Sequence, residues 1–218
     1  MGAAMGDESR HAQTVRHFGR LAGTYDDRHH HYTQQTLRQA LEALRLSGTE
    51  RVLDVGCGTG ELARLIHERH SRATLVGLDV TPKMLEVARE KFQGVADVTF
   101  SLGQAESLPF APEDFDAVVS CNMLHHVRSV DGLLRECARV LRPQGRLVIV
   151  DWCRDAWHCR LAHYWLRLAK RSYVTMYRAS ELVDCAGRIG LIVEDVHRFF
   201  VPPYFGMMRV VMTKQQAS

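Results

Sequence analysis

Apolar side chains in the first fifth of the chain recur at helical spacing, and then the pattern changes. Val15, Phe18, Leu21, Ala22 and Tyr25 predict an amphipathic helix over residues 11–25, after a loose polar tail over residues 1–10. Leu37, Ala40, Leu41 and Leu44 predict a second helix over 33–46, ended by Ser47-Gly48. From Arg51 onward, short continuous apolar runs alternate with helical segments. Strands are predicted at 51–55, 73–78, 98–102, 115–120 and 146–150, with helices at 61–69, 82–92 and 130–141 between them. Thr81-Pro82 is an N-cap followed by proline at the first helical position. Arg142-Pro143-Gln144-Gly145 reads as a turn.

Strands that are apolar on both sides and alternate with helices specify a parallel sheet covered on both faces. The last third breaks this rhythm. Residues 154–171 and 179–189 are helical in pattern. Residues 191–201 and 207–213 are extended and close together, which predicts an antiparallel pair at one sheet edge. The fold class is therefore α/β: a Rossmann-like doubly wound seven-stranded sheet, mostly parallel with an antiparallel last strand, plus N-terminal lid helices. It forms one domain over 1–218. The tail and lid helices occupy 1–46, a binding core 47–150, a helical roof 151–190 and the strand pair 191–218.

Composition narrows the function. Hydrophobic residues make up 46% of the 218 and charged residues 24%, enough apolar side chain for a real core. The 28 basic and 25 acidic side chains give +3, too mild a balance for nucleic acid as a main partner. No apolar run reaches the ~20 residues of a membrane span. The first ten residues lack the apolar stretch of a secretory signal. The six cysteines are scattered without a Cys-x-x-Cys pair, so they are expected to be reduced core residues of a cytoplasmic protein, with no metal site.

The chemistry concentrates in Val52-Leu53-Asp54-Val55-Gly56-Cys57-Gly58-Thr59-Gly60. A buried strand runs into a loop with glycine at every second position and then into a helix. Such loops let a ligand touch backbone at the carboxyl edge of a parallel sheet. The spacing is G-x-G-x-G rather than the dinucleotide G-x-G-x-x-G. Asp79 ends the second strand, at the interval where these folds set an acid on ribose hydroxyls.

These residues form part of an ordered set. It continues with Ala105-Glu106-Ser107-Leu108-Pro109-Phe110, Phe115-Asp116-Ala117-Val118-Val119, Leu124-His125-His126-Val127 and Leu141-Arg142-Pro143-Gln144-Gly145-Arg146. The set resembles the class I S-adenosylmethionine-dependent methyltransferases. The closest likeness is to the small-molecule branch that includes the ubiquinone and menaquinone biosynthesis C-methyltransferases. The resemblance implies S-adenosylmethionine as cofactor, S-adenosylhomocysteine as product, and a small acceptor, aromatic or quinol-like, methylated on oxygen, carbon or nitrogen. It implies that Asp54, Gly56, Cys57 and Gly58 line the methionine end and that Asp79 takes the ribose. Val80, Met84, Gln104, Ala105 and Glu106 then serve the adenine side, and Tyr25 covers the methionine portion as part of a lid. Gln104 stands where many relatives carry an aspartate, a weaker neutral partner. Asn122 is expected to bond the cofactor amino group.

For catalysis, His125, His126 and Asp151 are the candidate base or orienting groups. Arg154, Trp157, His158, His163, Tyr164, Trp165 and Tyr173 form an aromatic and basic roof. The rival readings are a non-catalytic S-adenosylmethionine-binding scaffold, a tRNA or protein methyltransferase, and a nicotinamide oxidoreductase. The modest cluster Arg167, Lys170, Arg171 and Arg178 gives the nucleic-acid reading little support, and the glycine spacing opposes the last. A homodimer is compatible with the sequence. His29-His30-His31 and Val201-Pro202-Pro203-Tyr204 are read as a solvated run and a loop.

Overall fold

The computed structural model describes residues 2–157, 159–161, 163–164, 175–202 and 205–216, with backbone alone over 2–10 and at Phe205. Seven strands form one sheet: β1 (Arg51–Val55), β2 (Thr74–Asp79), β3 (Val98–Leu102), β4 (Phe115–Cys121), β5 (Leu141–Trp152), β6 (Leu191–Val201) and β7 (Phe205–Lys214). Their order is β3-β2-β1-β4-β5-β7-β6. The first five pair in parallel, and β7 lies antiparallel between β5 and β6. The expected antiparallel pair is thus present at the sheet edge.

Alternation along each strand fills two cores. Val52, Ala117, Val119 and Val148 face one layer, where helix α2 (Tyr25–Leu44) and helix α3 (Glu61–Arg69) bring Leu37, Leu41, Leu62 and Ile66. Leu53, Val118, Leu147 and Ile149 face the other, against Leu133, Leu134 and Leu182 of helix α5 (Val130–Val140) and helix α6 (Ala179–Arg188). Helix α4 (Pro82–Lys91) links β2 to β3 and buries Met84 and Leu85. Strand order reverses where β1 lies between β2 and β4, which opens a crevice at the carboxyl edge.

Three boundaries differ from the pattern-based reading. Residues 1–10 were expected as a loose tail, but helix α1 runs from Gly2 to Leu21. Ala3, Ala4, Met5, Glu8 and Arg10 are strong helix formers, so propensity extends the helix without an apolar stripe. The predicted helix over 11–25 breaks at a 3₁₀ turn, Ala22–Thr24, and α2 begins at Tyr25, eight residues before the expected start. Asp26 and Asp27 in its first turn favour that start. At the other end α2 stops with Arg45 in the left-handed region, and the Glu50 carboxylate collects the N–H groups of Ser47, Gly48 and Thr49. The turn at 142–145 is contained within β5. Register with β4 jumps from Phe115↔Leu141 to Ala117↔Arg146, so four residues loop out of the ladder. All six cysteines are buried and free, as expected of small core residues. Among the described residues no helix is long and apolar enough to cross a membrane.

Candidate functional site

The glycine loop leaves β1 and is strapped to the end of β2. Gly56 and Cys57 both donate N–H to Leu78 O, at 2.7 and 3.0 Å. Gly56 has φ +81°, and a Cβ there would lie 2.4 Å from Met123 Cγ, so both conformation and space demand glycine. Gly58 has φ +53°, but a Cβ there would meet nothing within 4 Å. Its open side faces the cavity that the loop lines.

Asp79 sits across from this loop. Gly58 N–H donates to its Oδ2 at 3.0 Å and Thr81 N–H to its Oδ1 at 2.8 Å. These bonds fix both oxygens in place. Burial still raises the carboxyl above its ordinary range. Asp54, at the end of β1, is 5% exposed; burial and the neighbouring Asp79 charge push it up to about 7. Two carboxyls in one poorly hydrated wall favour a cationic guest, because it would offset both.

A cavity of about 1280 Å³, including its open mouth, spans the carboxyl ends of β1, β2 and β4. All twelve residues expected to hold a cofactor line it: Tyr25, Asp54, Gly56, Cys57, Gly58, Asp79, Val80, Met84, Gln104, Ala105, Glu106 and Asn122. Met84 is buried from α4, and Arg128 Nη2 donates to Gln104 Oε1 at 3.4 Å. Arg128 N–H donates to Glu106 Oε1 at 3.1 Å.

The lid crosses this cavity. Phe18, Tyr25 and His126 form an aromatic wall, with Phe18 edge-on to both at 6.1 and 5.0 Å between centroids. Burial, with Asp79 nearby, pushes the Tyr25 phenol up to about 12. Below it, Thr59 Oγ1 donates to Asp26 Oδ1 at 2.5 Å, and Lys91 Nζ bridges Asp26 and Glu61 at 2.6 Å each. The start of α2 is therefore anchored to the glycine loop.

His125 and Asp151 are placed differently from the expectation that they face an acceptor. Neither lines the cavity, and they are 6% and 1% exposed. His125 Nδ1 lies 2.8 Å from Asp151 Oδ1. Leu124 N–H donates to Asp151 Oδ2 and Trp152 N–H to Oδ1, each at 2.7 Å. The His125 ring stacks on Trp152 at 4.0 Å and 9°. Of the two histidines, only His126 faces the cavity.

Asn122 lines the cavity, but both ends of its amide are engaged within the protein. Trp152 Nε1 donates to Tyr32 Oη, Tyr32 to Asn122 Oδ1, and Asn122 Nδ2 to Thr36 Oγ1, at 2.7, 2.7 and 2.8 Å. Its side chain ties α2 to the sheet, so the expected bond to a cofactor amino group would compete with these contacts.

The described roof residues do not reach the cavity either. Arg154, Trp157, His163 and Tyr164 are absent from its walls; Trp157 and Tyr164 are mostly exposed, and His163 is buried. His158, Trp165, Arg167, Lys170, Arg171, Tyr173, Pro203 and Tyr204 lie outside the described residues. His29, in the expected solvated run, packs on Tyr25 at 4.5 Å.

Sequence reasoning missed His11, Thr14, Thr33, Leu37 and Arg128 as lining residues. His11, Thr14 and Phe18 share one face of α1 at helical spacing. All three fall inside the helix predicted over 11–25, but His11 and Thr14 are polar and are not part of the apolar stripe that predicts it.

A seven-stranded, doubly wound α/β sheet thus carries a glycine loop and an acid at the carboxyl ends of its first two strands. Comparison with known proteins supplies the family. Residues 53–149 match the methyltransferase domain family. The chain is 35% identical over 189 residues to the uncharacterized methyltransferase YcgJ of Bacillus subtilis, covering 85% of this chain and 74% of that one. It is 35% identical over 150 residues to the demethylmenaquinone methyltransferase of Thermotoga maritima, covering 67% and 63%. The solved structure of YcgJ superimposes with a TM-score of 0.75 at 23% identity, covering 84% of this chain and 100% of that one. The chain spans between 42% and 47% of the length of several other curated relatives. It belongs to the methyltransferase family.

Proposed function

We propose that the protein transfers a methyl group from S-adenosylmethionine to a small-molecule acceptor. The observation that carries this reading is the gathering of all twelve expected cofactor residues around one cavity whose carboxyls suit a cation. The bound cofactor supplies a methyl group on a sulfonium, which makes the leaving sulfur a good one. The protein's task is then to align the acceptor and exclude water.

Each wall has a part in this. Asp79 accepts the two ribose hydroxyls with oxygens already fixed by Gly58 and Thr81. Asp54 faces the cationic methionine end. Gly56, Cys57 and Gly58 let backbone approach it. Val80, Met84, Gln104, Ala105 and Glu106 hold the adenine end. Tyr25, Phe18 and His126 close over the reacting end, and their rings favour a flat acceptor of phenolic or quinol type.

His126 is the candidate base, because it alone of the candidate bases borders the cavity. His125 and Asp151 position the turn that carries it. Residues 1–46 act as the lid, 47–150 as the cofactor core, 151–190 as the roof and 191–218 as the closing strand pair. Six reduced, buried thiols suit the cytoplasm.

Titration calorimetry with S-adenosylmethionine, S-adenosylhomocysteine and NADH tests the donor. Binding of the two sulfur compounds and not NADH is expected. Labelled methyl transfer to a panel of phenols and quinols then tests the acceptor. A protein that binds neither sulfur compound sinks the reading.

A further inference from the structure

A second concavity lies outside the cofactor cavity and shares no residue with it. It is lined by Arg154, Asp155, Arg160, Arg178, Ser180 and Arg198, where the chain leaves β5, enters α6 and passes the end of β6. Four guanidinium groups meet there. Arg198 Nε pairs with Asp155 at 2.6 Å, and Arg154 Nη2 pairs with Glu181 at 2.9 Å. The same Glu181 caps α6 by accepting Arg178 N–H at 2.6 Å. No ion pair joins Arg160 or Arg178 to a carboxylate among the described residues. The groove therefore holds an excess of two positive charges over the two carboxylates.

Two further features ask for an acceptor. Arg154 Nε is buried and has no hydrogen-bond partner, although a buried donor normally finds one. Ser180 stands in the first turn of α6, a helix of 10 residues whose N-terminal dipole adds positive potential. A small dianion with several acceptor oxygens would satisfy the orphan donor, the excess charge and the forked guanidinium geometry together.

We propose that this groove binds a phosphoryl group. The group is either that of a free phosphate compound or the headgroup of an anionic lipid. The second source has a local rationale. Trp157, Leu161 and Tyr164 are 72%, 64% and 67% exposed on the helical stretch that carries Arg160, at spacings that put them on one face. The site does not depend on the methyl-transfer reading and is tested without cofactor.

The full-length protein is titrated with sodium phosphate against sodium chloride at matched ionic strength, followed by calorimetry and thermal unfolding. In parallel, it is sedimented with phosphatidic acid vesicles, whose headgroup is a phosphomonoester, and with phosphatidylcholine vesicles. Saturable phosphate binding that weakens about tenfold or more in Arg160→Ala/Arg178→Ala supports a free phosphoryl ligand. Binding to phosphatidic acid alone, lost in the same variant, supports a lipid headgroup. Both substitutions are at exposed positions, so the variant is expected to fold. Arg160→Lys/Arg178→Lys keeps the charge but not the fork, and intermediate binding is expected. Two outcomes overturn the proposal: no response to either probe, or equal binding by wild type and both variants.

Discussion

Two parts of one sheet edge each carry carboxylates, and they use them in opposite ways. At the ends of β1 and β2, Asp54 and Asp79 border the cavity, with backbone donors holding Asp79 in place. At the end of β5, Asp151 is 1% exposed and turned inward, toward three donors of the protein itself. The first wall has glycines where a guest must approach. The second has stacked rings and a hydrogen-bonded chain running from Trp152 through Tyr32 and Asn122 to Thr36. One wall is built to receive, the other to hold the lid and the His126 turn in register. Residue type and strand-end position are the same in both walls. What separates them is whether the neighbouring loop supplies space or donors.

The sharpest way to break this contrast is Asp151→Ala. It strips an acceptor from Leu124 N–H, Trp152 N–H and His125 Nδ1 inside a dry wall. Stability is expected to fall by about 3–5 kcal/mol, measured by urea unfolding. A loss below about 1 kcal/mol would show that Asp151 is not a structural clamp, and would return it to the candidates for direct catalysis.

Asp79→Ala acts on the receiving wall. Stability should change far less than affinity, because Asp79 borders a cavity rather than filling a core. Loss of its charged acceptor is expected to weaken S-adenosylhomocysteine by about 1–3 kcal/mol in calorimetry. Unchanged affinity with lowered stability would make the two walls alike.

Asp54 supplies the pH test. Its carboxyl is raised to about 7 by burial and by Asp79, so it is ionised above that pH and neutral below. A cationic guest favours the ionised form. Affinity for S-adenosylmethionine should therefore be full above pH 7 and decline as pH falls through it, approaching tenfold per pH unit, or about 1.4 kcal/mol. Asp54→Asn should flatten that dependence. The ligand's own titrations are common to both proteins, so a profile equally steep in the variant would remove Asp54 from the linkage.

The receiving wall was largely legible in the sequence, and the holding wall was not. A strand, alternating glycines and an acid near residue 79 are local signals with local causes, and the residues that carry them meet at one cavity with those that only the family resemblance implied. The bonds from Tyr32 to Asn122 and Trp152 join residues 90 and 120 positions apart, and no local pattern announces such partners. The inward turn of Asp151 was hidden for the same reason. A carboxylate at a strand end looks identical whether it serves a ligand or a neighbouring turn. The extension of α1 back to Gly2 has no apolar periodicity to announce it, because propensity alone extends that helix.

The smallest effect probes how the two walls communicate. Tyr32 accepts from Trp152 Nε1 and donates to Asn122 Oδ1, so it joins the holding wall to a residue that borders the cavity. Tyr32→Phe keeps the ring and removes both bonds. A global loss of about 0.5–1.5 kcal/mol is expected, at the scale of one net hydrogen-bond site. The more telling readout is amide exchange. Exchange should quicken along α2, which Asn122 no longer steadies through both ends of its amide, while β1 and β4 stay protected. Cofactor affinity should fall less than in Asp79→Ala, because the lid loosens and the ribose acceptor is untouched. If α2 exchanges as in the wild type, the chain from Trp152 to Thr36 is a set of independent contacts and the lid is held by Asp26, Thr59 and Lys91 instead.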